Sequence, residues 1–137
     1  MVYLLDTNMV TYIARRKSAA ARARLAAIGR EDTASISAIT EAEIRFGLAK
    51  RPQAHTLRAA MEGFLFKVRI LSWGSAEAAA YGGLRAKLEA AGTTLAALDL
   101  LIAAHAIGAG ATLVSHDGAF QHVTPFLKVT DWATDIK

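Results

Sequence analysis

Residues 99–115 read DLLIAAHAIGAGATLVS, and this stretch decides the fold class. Asp99–Gly108 has the length and composition of a compact apolar helix, and Ala111–Ser115 that of a short buried strand, with glycine between them. A helix that delivers the chain straight into a buried strand is the second half of a crossover unit. Outward from it the same alternation continues. Val2–Leu5 reads as a strand, Thr7 to Arg16 as a helix and Ser18 to Ile28 as a second helical segment stopped by Gly29. Thr33–Ser37 is a strand, Thr40–Lys50 a helix closed off before Pro52, and His55–Phe66 a helix with Leu57, Met61, Phe64 and Leu65 on one face. Val68–Leu71 is a strand, Ser75–Ala90 a long helix stopped at Gly92, and a turn around Asp117–Phe120 precedes a last strand near Leu127–Thr130. Strands separated by helices give an α/β fold: three layers, with a mostly parallel central sheet covered by helices on both faces.

The chain has 137 residues, the size of one domain over 1–137, and is large enough to bury a core without staples. With no cysteine, neither a disulfide framework nor a thiolate zinc site can form. Asp6 interrupts the only early apolar run, and the apolar stretches Leu98–Ile107 and Ala109–Val114 are too short to span a bilayer. The expectation is a soluble, cytoplasmic protein. The net charge is +4, and Arg15, Arg16, Lys17, Arg22, Arg24 and Arg30 crowd into the first quarter. Such a surface attracts a polyanion, although charge alone favours the plainer reading of solvated helix faces.

In a parallel sheet, ligands bind beyond the carboxyl ends of the strands, where strand order reverses. Asp6 follows the first strand, Glu43 follows the second, Asp99 heads the helix crossing over to the ATLVS strand, and Asp117 follows that strand. Each acid taken alone has an ordinary structural explanation. Asp6 and Asp99 would cap helices, Thr40 and Glu43 would form a capping box, and Asp117 would make an Asx turn before Gly118. What capping does not explain is that all four fall on one topological side.

Clustered carboxylates repel one another and raise one another's pKa, and a hard divalent cation removes that repulsion. Mg²⁺ takes oxygen ligands and keeps several waters, so carboxylates and a substrate phosphate complete its shell. His55, His105, His116 and His122 show no paired ligand spacing, which favours Mg²⁺ or Mn²⁺ over zinc. His105 is expected to pack within its helix, and His116 and His122 to line a rim. Thr7, Asn8 and Ser115 offer groups that could orient the ligands from behind. Such a centre suits phosphodiester hydrolysis, with the basic residues holding a nucleic-acid backbone.

Four segments, LLDTN at 4–8, SAITEAEIRFGLAK at 37–50, the run from Gly83 to Phe120 and LKVTDW at 127–132, stand in the order and spacing of PIN-domain ribonucleases. The chain resembles, more closely, the VapC toxins of VapBC toxin–antitoxin modules. The resemblance implies that Asp6, Glu43 (of an E-hydrophobic-x-x-G helix) and Asp99 (of D-x-x-I-A-A-H-A) are metal-binding catalytic acids, with Asp117 as a variable fourth. It implies a Mg²⁺- or Mn²⁺-dependent endoribonuclease acting on RNA, often tRNA, a homodimeric assembly and inhibition by a VapB antitoxin. Two departures stand out. Relatives often carry Gly or Pro where this chain has Leu95-Ala96-Ala97-Leu98, and many read T-N-N where it has Ser115-His116-Asp117.

Two other functions compete with this one. A phosphatase with an aspartate nucleophile needs a second Asp two residues after the first, and that position is Asn8. A non-catalytic module binding RNA or a partner would use the same basic surface without cutting.

Overall fold

The computed structural model describes residues 1–137. In chain order the elements are β1 (Val2–Leu5), α1 (Thr7–Ala14), α2 (Ala19–Ala26), β2 (Thr33–Ser37), α3 (Ala38–Ala49), α4 (His55–Lys67), β3 (Arg69–Leu71), α5 (Ser75–Ala90), α6 (Ala97–Gly108), β4 (Thr112–Val114), a 3₁₀ segment (Gly118–Val123) and β5 (Val129–Thr130). All strand pairings are parallel, in the order β3-β2-β1-β4-β5. The α/β sandwich expected from the sequence is present, with a sheet parallel throughout.

The pleat sorts the core into two halves. Tyr3 and Leu5 of β1, with Ile36 and Val114, pack against Met9, Val10 and Ile13 of α1, Ile44 and Leu48 of α3 and Phe64 of α4. Leu4 points the other way, joining Leu113 to Leu84 and Leu88 of α5, Ile102 and Ala106 of α6, and Phe120. Alternate residues of one strand therefore serve opposite layers. No helix is long and apolar enough to cross a membrane.

Glycines end the two helices of the second layer. Gly92 and Gly110 adopt φ of +70° and +63°, and each is followed by a backbone N–H that returns to the helix, Thr93 to Leu88 and Ala111 to Ala106. These are Schellman closures, in which the left-handed residue is normally glycine. The end of α1 closes the same way with Arg16 at φ +57°, a conformation that costs a non-glycine residue ~1 kcal/mol or more.

Of the boundaries that differ from expectation, two matter for the acids. Ser37 caps α3, accepting from the Ile39 N–H at 3.0 Å, so the helix starts before Thr40 and the Thr40–Glu43 capping box does not form. Ala96 is the cap position of α6, with no side-chain cap bond, so Asp99 lies inside the first turn and caps nothing. A serine at a strand end outcompetes Thr40 because the strand delivers it directly into cap geometry.

Helices α5 and α6 approach closely where Gly108 meets Glu77. A Cβ on Gly108 would stand 2.6 Å from Glu77 Oε2 and 3.2 Å from Glu77 Cα. The carboxylate could swing aside, but the backbone cannot. Gly108→Ala is therefore expected to lower stability by about 1–2 kcal/mol, the overpacking cost exceeding the helix-propensity gain. A urea midpoint unchanged or raised in the variant would show that α5 yields freely.

Candidate active site

The strand order reverses between β1 and β4. From β1 the chain moves outward to β2 and β3, then returns to lay β4 and β5 on the other side. The carboxyl ends of β1 and β4 thus part at this point, and the acids gather there.

Asp6 leaves β1 with its N–H still donating to the Val114 carbonyl at 3.0 Å, which fixes its backbone to β4. Its Oδ1 accepts from the Met9 N–H at 2.8 Å, so it does cap α1. Capping does not account for its environment. Asp6 is buried, 4 % exposed, and its pKa is raised to about 6. Burial is the main cause. The charges of Asp99 and Asp117 add to it, against the lowering effect of hydrogen bonds from Ser115 and Met9. Asp99, half-buried in the first turn of α6, is also raised, by burial first and then by the charges of Asp117 and Glu43. The acids therefore form one electrostatic network: Asp6 senses Asp99 and Asp117, and Asp99 senses Asp117 and Glu43.

Glu43 is anchored from the neighbouring element. The Thr7 hydroxyl donates to Glu43 Oε1 at 2.6 Å and lies 3.3 Å from the buried Thr40 hydroxyl. The Ser115 hydroxyl lowers the pKa of Asp6 and, through its Oγ, accepts from the Asp117 N–H at 3.0 Å. Asp117 is exposed and closes an Asx turn onto the Ala119 N–H at 2.9 Å, as expected of its sequence context. Asn8 lies exposed on the first turn of α1.

The histidines divide. His105 is buried, with Nδ1 2.7 Å from the Ser37 hydroxyl, so it ties α6 to the end of β2 rather than packing within its own helix. Burial lowers its pKa. His55 and His122 are exposed. His116 pairs with Asp131, Nδ1 to Oδ2 2.7 Å. Asp131 is not among the residues that the sequence singles out, although an acid directly after the last strand, in LKVTDW, is the available signal. Thr40 is a site neighbour hidden in the sequence by its resemblance to a cap.

The donor set is chemically suited to a hard cation. It consists of carboxylate oxygens with hydroxyls behind them, and two of its acids are destabilised in their charged form by burial and mutual repulsion. No group of three or more His, Cys, Asp or Glu already stands at metal-holding spacing. Glu43 is engaged by Thr7 rather than turned to the other acids alone. The four acids are brought to one edge and into electrostatic contact, but not into a closed ligand shell.

The chain is similar to known proteins along nearly its whole length. Residues 3–124 match the PIN domain family. Ribonuclease VapC2 of Rickettsia felis is 31% identical over 132 residues, spanning 96% of this chain and 98% of that protein. The tRNA(fMet)-specific endonuclease VapC of Shigella flexneri is 28% identical over 131 residues, with 96% and 98% covered. Among solved structures, VapBC2 from Rickettsia felis bound to a promoter DNA fragment superimposes with a TM-score of 0.89 at 31% identity, covering 96% of this chain and 99% of that one.

Proposed function

This chain belongs to the PIN-domain family, among its VapC ribonucleases, and from that premise we propose that it is the toxin of a toxin–antitoxin module. It hydrolyses RNA phosphodiester bonds, with tRNA as the substrate class. The observation that carries the reading is the coupling of Asp6, Glu43, Asp99 and Asp117 at the point where strand order reverses.

In this proposal the four acids hold Mg²⁺, with Mn²⁺ as a substitute. When bound, such an ion activates water and neutralises charge developing on the phosphate. The protein's own contribution is positional. Thr7 fixes the Glu43 carboxylate, Ser115 fixes the start of the Asp117 turn, and the Met9 N–H orients Asp6. Arg15, Arg16 and Lys17, exposed at the end of α1, supply cations for the RNA backbone. Asn8 offers an amide at the rim.

The partner is a VapB-type antitoxin. A groove of about 840 Å³ between α1, α2 and α4 has Leu25, Ile28 and Phe64 in its lining and Arg16, Arg22, Lys67 and Arg69 around it. None of these cations has a carboxylate partner within the chain, so an acidic amphipathic segment of the antitoxin complements both its shape and its charge. A cation from the antitoxin seated among the four acids would complete inhibition. The active form is a cytoplasmic homodimer acting as a single-domain enzyme.

Purified free of antitoxin, the protein is expected to cut tRNA transcripts only with a divalent ion present. Asp99→Asn, which removes a direct ligand, should reduce the rate by at least about a hundredfold, the upper end of what lost supporting contacts cost. Binding of the transcripts without cleavage under any divalent ion would favour the non-catalytic module instead.

A further inference from the structure

The carboxyl edge of the sheet carries a second constellation, separate from the four acids. The Ser115 N–H donates to the Thr130 carbonyl at 2.9 Å, extending the β4–β5 ladder one step and bringing His116 beside Asp131. Asp131 is itself fixed: its Oδ1 accepts from the Ala133 N–H at 2.8 Å in a turn, leaving Oδ2 for His116 Nδ1 at 2.7 Å. The edge of the Tyr12 ring steadies the imidazole, centroids 6.1 Å apart and planes at 83°. An ionised carboxylate only accepts, so Nδ1 carries the proton toward Asp131, and Nε2 is the ring nitrogen left free, an acceptor whenever it carries no proton. The side chains of His116 and Asp131 are 24% and 36% exposed. His116 is flanked by Ser115, whose Oγ accepts from the Asp117 N–H, and by Asp117, which is coupled to Asp6 and Asp99.

We propose that His116 Nε2 accepts a hydrogen bond from a ribose 2′-hydroxyl of RNA lying across this edge, with Asp131 as the positioning residue that sets the tautomer. The proposal rests on the nucleic-acid reading above. A sugar–phosphate backbone is almost wholly an acceptor, and the 2′-hydroxyl is the donor that RNA has and DNA lacks. An acceptor nitrogen held beside a phosphate-processing centre therefore reads the sugar. If the pair only fastened the C-terminal segment to the sheet, it would be indifferent to the sugar.

The test uses fluorescein-labelled single-stranded RNA and DNA of one sequence, bound by the full chain in EDTA at low salt. His116→Phe keeps the ring against Tyr12 and is expected to weaken RNA binding about three- to tenfold, the worth of one hydrogen bond, leaving DNA binding unchanged. His116→Gln, which retains an acceptor, should keep most of the RNA preference. Asp131→Asn should lose part of it. Long-range ¹H–¹⁵N spectra should show His116 Nε2 unprotonated in the wild type and mixed tautomers in Asp131→Asn. Equal losses on RNA and DNA, or no loss on either, would overturn the proposal. Two further outcomes separate it from the nuclease reading. An RNA preference that follows His116 in a protein that cuts nothing would sink the nuclease reading alone. Cleavage with a preference indifferent to His116 would sink this one alone.

Discussion

Asp6→Asn is expected to make the metal-free protein more stable at pH 8 while removing its cleavage activity. The folded-state pKa of Asp6 is about 6 against an ordinary 3.8. A raised carboxyl pKa favours folding only while the group is protonated: the contribution is complete below the ordinary value and is lost as pH rises through about 6. At pH 8 the ionised, buried carboxylate therefore costs up to ~3 kcal/mol, since a tenfold change in proton affinity is worth about 1.36 kcal/mol. Asparagine keeps an oxygen for the Met9 N–H, so the α1 cap survives. The stability gap between variant and wild type should close as pH falls towards 4. His105, whose lowered pKa makes the fold lose stability below about pH 6.5, acts equally on both proteins and cancels in the difference. Denaturant titrations from pH 4 to 8 read this directly. A variant less stable at pH 8, or a gap that does not shrink with acid, would mean that Asp6 carries no charge penalty.

The second large effect is the reverse of the first. A divalent ion that relieves the repulsion among the acids stabilises the fold by mass action, ~2.7 kcal/mol at a hundredfold excess over its dissociation constant. For a domain of this size that raises Tm by roughly 10 °C. Wild type should show this shift with Mg²⁺ or Mn²⁺, and an Asp6→Asn/Asp99→Asn variant should show none. Equal shifts in both proteins would place the ion elsewhere. The open arrangement of the acids bears on the size of the effect. Thr7 holds Glu43 at 2.6 Å, so any turning of Glu43 toward an ion works against an existing hydrogen bond.

The layered fold is legible in the sequence because its signals are local and agree with one another. Short buried strand segments, glycines after α5 and α6, and serines before α2 and α3 all act within a few residues of where they stand. The positions of Asp6 and Asp117 are legible for the same reason. Their coupling to Asp99, and that of Asp99 to Glu43, follows from topology alone, since only the parallel pairing of β1 with β2 and β4 brings residues so distant in sequence to one edge. Cap competition at the start of α3 is where local pattern misleads. Thr40 with Glu43 matches a capping pattern, but Ser37 reaches the free N–H groups first, which leaves Thr40 to stand beside Thr7 and Glu43 to be bonded by it. The Asp131–His116 pair is not readable because it depends on the register of β5 against β4, and β5 is only two residues long. The ties of His105 to Ser37 and of Gly108 to Glu77 are likewise tertiary, made across layers whose spacing no local pattern specifies.

Anomalous diffraction from crystals grown with Mn²⁺ locates the ion without recourse to activity. Strong density bounded by the carboxylates of Asp6, Asp99 and Glu43, with Asp117 within reach of the ion or its waters, is the expected result. Density lying only on other residues, or none at saturating Mn²⁺, would contradict the view that this edge of the sheet is a metal centre.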